Sequence, residues 1–390
     1  MRAFLTVFRL ELLRILSIKP AMAALVIGPL IYALYYPQPY RNEALRDVPI
    51  ALVDLDGTDS SRQFARRLDA SSDVAIAAVL PDEKSAEREV YARSLYGILV
   101  IPQHFERDLL HGRQSPVALY GDASYFLIYQ RISGAVTAVA RAFGAEVETA
   151  RLIGMRVDPV IAAAASDPMP LTAVALFNPQ GGYATYILPA ALALILQQTL
   201  LMGVGLLGTI GGQTAASGRT SGSAGPVSTV IGKMLAYLVV EAAVLPFYLI
   251  VLPYLYGIPR LGSLWTVMVF SIPFVLSVSA LGLVIARLFR DPVVVQLVGG
   301  ALGLPFIFLA GFTWPIEAVP DPLKTIALLL PSSTAITGIV EVSQLGASLP
   351  DVRQAFLGLW ALAGVYALIA IMLEKARQHH AAVSGSQTRA

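Results

Sequence analysis

Apolar residues are arranged in two different ways along this chain. Before residue 41 and after residue 182 they form long, nearly unbroken runs; between those points they come in short runs separated by polar stretches. A helix that crosses a membrane needs roughly 20 mainly apolar residues, because the hydrocarbon layer is about 30 Å thick. Six runs are read as spans: residues 20–36, 186–207, 234–254, 264–286, 293–312 and 354–373. Pro246, Pro273 and Pro305 fall inside three of them, which helix bundles in lipid tolerate because neighbouring groups re-satisfy the backbone. The stretch 323–340 is apolar too, but Pro331-Ser332-Ser333 breaks it, and it predicts a re-entrant or interfacial hairpin. The first run follows Arg2, Arg9, Arg14 and Lys19. No small-x-small cleavage site follows Leu34, where the chain reads Tyr35-Tyr36-Pro37, so a retained anchor is expected.

The interval 41–182 reads as a separate α/β domain. Residues 50–55, 74–80, 95–101 and 117–120 have the look of strands, with helices at 60–68 and 84–94 between them. A long helix is predicted over about 124–157. Its apolar positions Tyr125, Ile128, Ile132, Val136, Val139, Phe143, Val147 and Ala150 recur every three or four residues. That stripe either covers the domain's own sheet or forms a docking surface for a partner. The stretch 158–179, with Pro159, Pro168 and Pro170, leads the chain back to the bilayer.

Charge agrees with this division. Of the 54 Asp, Glu, Lys and Arg residues, 32 lie between Arg41 and Gly182, so a polar domain interrupts an apolar protein. Outside that insert, 11 basic residues fall on the side of the N-terminus and three on the other side. The positive-inside rule then places both termini in the cytoplasm and the insert outside. A net charge of +2 with no basic stripe gives no reason to expect nucleic-acid binding, and the absence of Cys excludes disulfides, zinc thiolates and thiol nucleophiles.

Ionisable groups within spans are costly and often functional. Here they reduce to Glu241, which is read either as an interhelical hydrogen-bond partner or as part of a substrate path or dimer seam, with Gln197, Gln198 and Gln296 as polar neighbours. No acid–histidine chain points to proton coupling, and no span carries a protease motif. Gly232-Lys233 lacks the spacing of a phosphate-binding loop, so any ATP is hydrolysed elsewhere. Asp54-Leu55-Asp56-Gly57-Thr58 resembles the first motif of haloacid dehalogenase phosphatases. That chemistry needs a downstream Lys and an acidic pair; Lys84 is the only Lys in the insert and Asp122 has no acidic partner at the expected spacing, so the motif is read instead as a turn capping the next helix.

Taken in order, several segments resemble a type-2 ABC transporter permease of the six-helix branch with a large extracytoplasmic domain after the first helix. They are the amphipathic N-terminal segment Arg2–Ser17 followed by the first span, Val48-Pro49-Ile50-Ala51-Leu52-Val53-Asp54, Phe177-Asn178-Pro179, Gly232-Lys233-Met234-Leu235, and above all Phe308-Leu309-Ala310-Gly311-Phe312-Thr313-Trp314-Pro315-Ile316 with Val319-Pro320 and Leu330-Pro331-Ser332-Ser333. The resemblance covers essentially the whole chain. It implies an α-helical polytopic inner-membrane protein of bacteria, divided into an elbow helix (1–19), helix one (20–40), a periplasmic α/β domain (41–182), helices two to six (183–377) and a cytoplasmic tail (378–390). A cytoplasmic loop at 211–233 and an outer re-entrant segment at 315–340 belong to the membrane part.

The function so implied is the non-catalytic transmembrane subunit of an exporter for hydrophobic or amphipathic substrates. It would have no cofactor of its own, with ATP and magnesium held by a partner ATP-binding cassette subunit. A second permease would complete a homodimer or heterodimer, and a periplasmic adaptor with an outer-membrane channel is a further partner. Arg2, Arg9, Arg219, Lys233, Arg287 and Arg290 would couple to the ATPase, although positive-inside topology alone also accounts for them. Gly311, Pro315, Glu317 and Pro331 would belong to an outer gate, with Asp321 and Glu341 as rim charges. One departure stands out: the stretch 211–231 is rich in Gly, Ser, Thr and Ala with Arg219 its sole charge, where the family often carries a charged coupling segment. The rival from another class is a membrane-anchored receptor or assembly factor.

Overall fold

The computed structural model describes residues 2–41, 44–174, 176–178, 181–214, 224–289 and 291–387. The chain divides into two compact units, Ala44–Val174 and the remainder. The latter begins with helix α1 (Arg2–Ser17) and, after Ile18, the first long apolar helix α2 (Lys19–Tyr40). A π-helical turn at Ala23–Ile27 ends two residues before Pro29. Proline has no N–H to donate and its ring crowds the carbonyl four residues back, here Leu25; an extra residue in that turn absorbs the misfit.

In the unit Ala44–Val174, strands β1 (Val48–Asp54), β2 (Val74–Val79), β3 (Gly97–Ile101) and β4 (Ala118–Gly121) form one sheet in the order β2-β1-β3-β4. β1 pairs in parallel with β2 and β3, and β4 closes the other edge antiparallel. Because β1 is covered on both faces it reads as a continuous apolar run: Ile50 and Leu52 enter one core, Ala51 and Val53 the other. Helices α3 (Asp59–Asp69) and α4 (Glu83–Tyr91) follow the first two strands, each started by a side-chain cap, Thr58 and Asp82. Two short helices were not expected. α5 (Phe105–Leu110) starts after His104 in the left-handed region, and α7 (Pro159–Ser166) is capped by Asp158 within the stretch read as mere return chain.

Between them runs α6 (Phe126–Gly154), whose Ile132, Ala135, Val136 and Phe143 are buried against the sheet and α3. Phe143 stacks on Phe105 with ring centres 6.2 Å apart and meets Phe64 at a tilt, 5.6 Å away. The middle of the apolar stripe therefore belongs to the unit's own core, and of its eight positions Tyr125 and Ala150, at the two ends, are exposed.

The remaining helices are α8 (Tyr183–Thr214), α9 (Pro226–Leu255), α10 (Leu264–Leu288), α11 (Pro292–Leu309), α12 (Asp321–Ala327), α13 (Pro331–Ser343) and α14 (Arg353–Gln387). With α2, four of them are long and apolar enough to cross a membrane, making five: Lys19–Tyr40, Tyr183–Ile210, Pro226–Leu255, Leu264–Leu288 and Arg353–His380. The expected span 293–312 is the shorter 18-residue α11, which stops at Ala310 before Gly311 turns left-handed at φ +80. α9 repeats the device of α2, with a π turn at Phe247–Val251 two residues before Pro253.

Two other boundaries move. The loop expected over 211–233 narrows, because α8 continues to Thr214 and α9 already starts at Pro226, where proline suits a first helical position. The expected tail 378–390 continues α14 as helix to Gln387. Small residues let the helices approach: a Cβ on Gly282 of α10 would stand 2.9 Å from Val204 of α8, and one on Gly338 of α13 would collide with the Phe270 ring of α10.

The segment 315–340 has a definite depth. α12 and α13 meet at an 80° bend. Gln197 of α8 donates to Ser332 Oγ at 3.0 Å, and Gln344, just past α13, donates to the carbonyl of Thr185 at 2.8 Å. Both pairs of positions are twelve residues apart, about 18 Å on a helix. α13 thus runs antiparallel to the first half of α8, from the middle of the bundle back to the end where Tyr40 and Tyr183 adjoin, 5.7 Å between ring centres. We call this the insert end, since the chain leaves for and returns from the unit Ala44–Val174 there. An 80° bend of this kind belongs to a broken span or a re-entrant hairpin, and the long apolar helix α14 follows.

Candidate functional site

At the opposite end of the bundle, α1, α8, α9, α10 and α14 converge on a buried cluster of charge. Glu11 of α1 is 2% exposed. Its Oε2 pairs with Arg14 at 2.7 Å, while Oε1 accepts from the Tyr237 hydroxyl at 2.7 Å and faces Lys233 Nζ at 3.9 Å. A second carboxylate, Glu374 of α14, is 1% exposed and pairs with Arg287 at 2.7 Å and Arg377 at 3.2 Å. Four cations therefore share two carboxylates. The surplus is directed at α8: Arg14 donates to the Leu207 carbonyl at 2.9 Å and Arg287 to that of Gly208 at 3.4 Å. These carbonyls lie toward the C-terminal, electronegative end of that helix. Gln378 joins Glu374 at 3.3 Å to the carbonyl of Ala224 at 3.4 Å. Both stems of the loop between α8 and α9 are thereby tied to the terminal helices.

Burial works to raise the Glu11 carboxyl. The positive charges of Lys233 and Arg14, with hydrogen bonds from Tyr237 and Arg14, outweigh it and hold the group below the usual glutamate range. Buried ion pairs add little net stability against an apolar substitute, but removing one partner leaves a bare charge and is strongly destabilising. The arrangement joins five helices through one set of ion pairs and hydrogen bonds.

The expected coupling residues divide. Lys233 is buried and Arg287 nearly so, both inside this cluster rather than on a loop surface. Arg2 and Arg9 are exposed on α1, where Leu13 and Leu16 are also 60% and 61% exposed. Arg219 and Arg290 lie outside the described residues. Glu11 and Glu374 were missed by sequence reasoning, which counted charge within spans; the one usable signal was that Glu11 is the only acid in the first 42 residues.

The expected path or seam residues sit deeper. Gln198 donates to the Gly299 carbonyl of α11, and Gln296 of α11 donates back to Met202 at 3.0 Å, a reciprocal staple. Gln197 holds α13, as above. Glu241 is buried on α9, and its Oε1 has no partner among the described residues. At the insert end, Gly311 closes α11, Pro315 precedes a single 3-10 turn (Ile316–Ala318), Glu317 is exposed, and Pro331 opens α13 and is buried. Ser333 donates to the carbonyl of Leu309 at 3.0 Å, which joins α13 to α11.

The Asp54–Thr58 motif holds a cap and turn. Asp54 accepts from the backbone N–H of Asp56 and Gly57 at 3.1 and 2.9 Å and from Ser61 Oγ at 2.7 Å. Asp56 accepts from the Thr58 hydroxyl at 2.5 Å and the N–H of Glu106 at 3.1 Å. Partial burial raises the Asp56 carboxyl, but those hydrogen bonds hold it below the usual range. Both carboxylates are occupied by local N–H and O–H donors, and no group of three metal-ligating residues occurs among the described residues.

The family model for ABC-2 family transporter proteins matches residues 20–372, almost the entire length. The linearmycin resistance permease protein LnrN of Bacillus subtilis (strain 168) is 25% identical over 329 residues, covering 78% of this chain and 82% of the relative.

Proposed function

This chain belongs to the ABC-2 family of transporter proteins, and on that footing we propose that it is the permease subunit of an ATP-driven exporter carrying a hydrophobic or amphipathic compound outward. The observation that carries the reading is the charge cluster. A permease needs a rigid link between the face where an ATPase docks and the helices that must move, and Glu11, Lys233, Arg287 and Glu374 pair four of them, with Arg14 and Arg287 adding α8 through the carbonyls of Leu207 and Gly208. In this reading the cluster end is cytoplasmic, in accord with its surplus of positive charge, and the unit Ala44–Val174 lies outside. Arg2 and Arg9, with the segment between α8 and α9 that holds Arg219, touch the ATPase, while Lys233 and Arg287 transmit its movement. The relative's name makes it a permease tied to resistance to linearmycin, which supports a small compound as the substrate here; the outward direction is our own reading. A second permease completes the transporter. The middle of the apolar stripe of α6, read as either a cover for the unit's own sheet or a docking surface, packs on that sheet, and a periplasmic adaptor with an outer-membrane channel stays a further proposed partner.

Mild-detergent purification of the tagged chain from native membranes, followed by mass spectrometry, tests this. A stoichiometric ATP-binding subunit is expected. Its reproducible absence, with partners of the insert retained, would favour the receptor or assembly-factor reading.

A further inference from the structure

At the insert end, α8, the turn after α11 and α13 enclose an open cavity of about 380 Å³. That is within the range of small-molecule sites, which are mostly apolar with a few oriented polar groups. Three aromatic side chains, Phe177, Tyr186 and Phe312, line it together with apolar residues such as Ile336 and Val340. Most of its polar groups are already engaged. Asn178 exchanges two hydrogen bonds with the backbone of Gly182, Tyr186 donates its hydroxyl to the Phe312 carbonyl, and Gln344 donates to Thr185. Glu341 is different. Its half-buried carboxylate lines the cavity with no ion pair or side-chain hydrogen bond among the described residues, and none of the described lining residues is Lys, Arg or His.

An unpaired carboxylate beside aromatic faces, in a site of low polarity, is complementary to one kind of ligand. Aromatic side chains attract cations, the carboxylate supplies a counter-charge, and the apolar walls favour a ligand with hydrocarbon bulk. We propose that this cavity is a binding site for a lipophilic organic cation, an assignment that rests on the permease reading and narrows its substrate class. The turn that carries Gly311 forms one wall and α13 another, so the site adjoins the segments where the ligand would leave the protein.

The test is direct binding to the full-length chain in lipid nanodiscs, with empty discs as background. The probes are tetraphenylphosphonium and tetraphenylborate, which share size and shape but differ in sign. The wild-type chain is expected to bind the cation saturably and the anion at least about tenfold more weakly, and Glu341→Gln to lose about tenfold in cation affinity. Glu341→Asp, which keeps the charge, is expected to retain most of it, and Thr337→Trp, which puts bulk into the cavity, to abolish it. Equal binding of the two probes by the wild-type chain overturns the proposal, and that comparison needs no variant to fold. Cation affinity unchanged within twofold in Glu341→Gln overturns it too. Neither result touches ATPase association, and loss of the ATPase partner would leave the binding measurement intact, so failure of the site and failure of the permease reading are separable.

Discussion

Glu11 illustrates how much one buried acid is made to do. It faces Arg14, Lys233 and Tyr237 at once, and each of those reaches a different part of the bundle. Replacing it with Gln keeps the shape but leaves the buried Lys233 and the half-buried Arg14 without their carboxylate. The expected cost is about 3–5 kcal/mol of packing between α1 and α9, against about 1 kcal/mol for Tyr237→Phe, which removes one hydrogen bond. Trypsin cleavage after Arg9 and Arg14 in membranes should accelerate strongly in Glu11→Gln and slightly in Tyr237→Phe. The sign of the pH effect follows from the depressed carboxyl. Its contribution is complete above the ordinary glutamate range and is lost as pH falls below it through the folded-state value, so α1 should stay docked through mildly acidic conditions and loosen only in stronger acid. The partners explain why this site was hard to see in the sequence. Glu11 and Tyr237 are 226 positions apart, and nothing in the local pattern around either points to the other.

Elements were easier to read than contacts. Apolar density and alternation are one-dimensional properties, so the long helices and the four strands stand close to where the pattern puts them. The errors have local causes. Composition made 211–231 look like loop throughout, although Pro226 opens a helix; α5 and α7 are too short to show a period; and Gly311 ends α11 early. The break between α12 and α13 was legible from Pro331, but how deep α13 reaches was not, because that is set by Gln197 and Thr185 on α8. Since the chain has no Cys, single cysteines can be labelled without background. Asp321→Cys and Leu345→Cys, which flank the hairpin, should both react with a membrane-impermeant maleimide added from the same side, the insert side. Labelling from opposite sides would make the pair a broken span.

For the whole molecule, the proposed function assigns the exposed Arg2 and Arg9 to partner contact and the buried Lys233 and nearly buried Arg287 to transmission. Arg2→Ala combined with Arg9→Ala should lower co-purification of the ATPase several-fold while leaving the permease as stable as before, because both side chains are exposed. Arg287→Ala should instead destabilise the bundle by about 3–5 kcal/mol, since Glu374 loses its closest cation. Thermal stability and ATPase recovery, measured on the same preparations, distinguish the two.

The helices of the bundle differ in length, and this bears on the lipid around them. α11 has 18 residues, about 27 Å, whereas the span Pro226–Leu255 has 30, about 45 Å. No flat bilayer matches both. Lipid beside α11 must thin, or the long helices must tilt, and either adjustment costs a fraction of a kcal/mol per ångström. Any motion that changes tilt therefore also changes the mismatch. Acyl-chain length, which touches none of the residues discussed above, becomes one of the variables that set the balance between the protein's conformations.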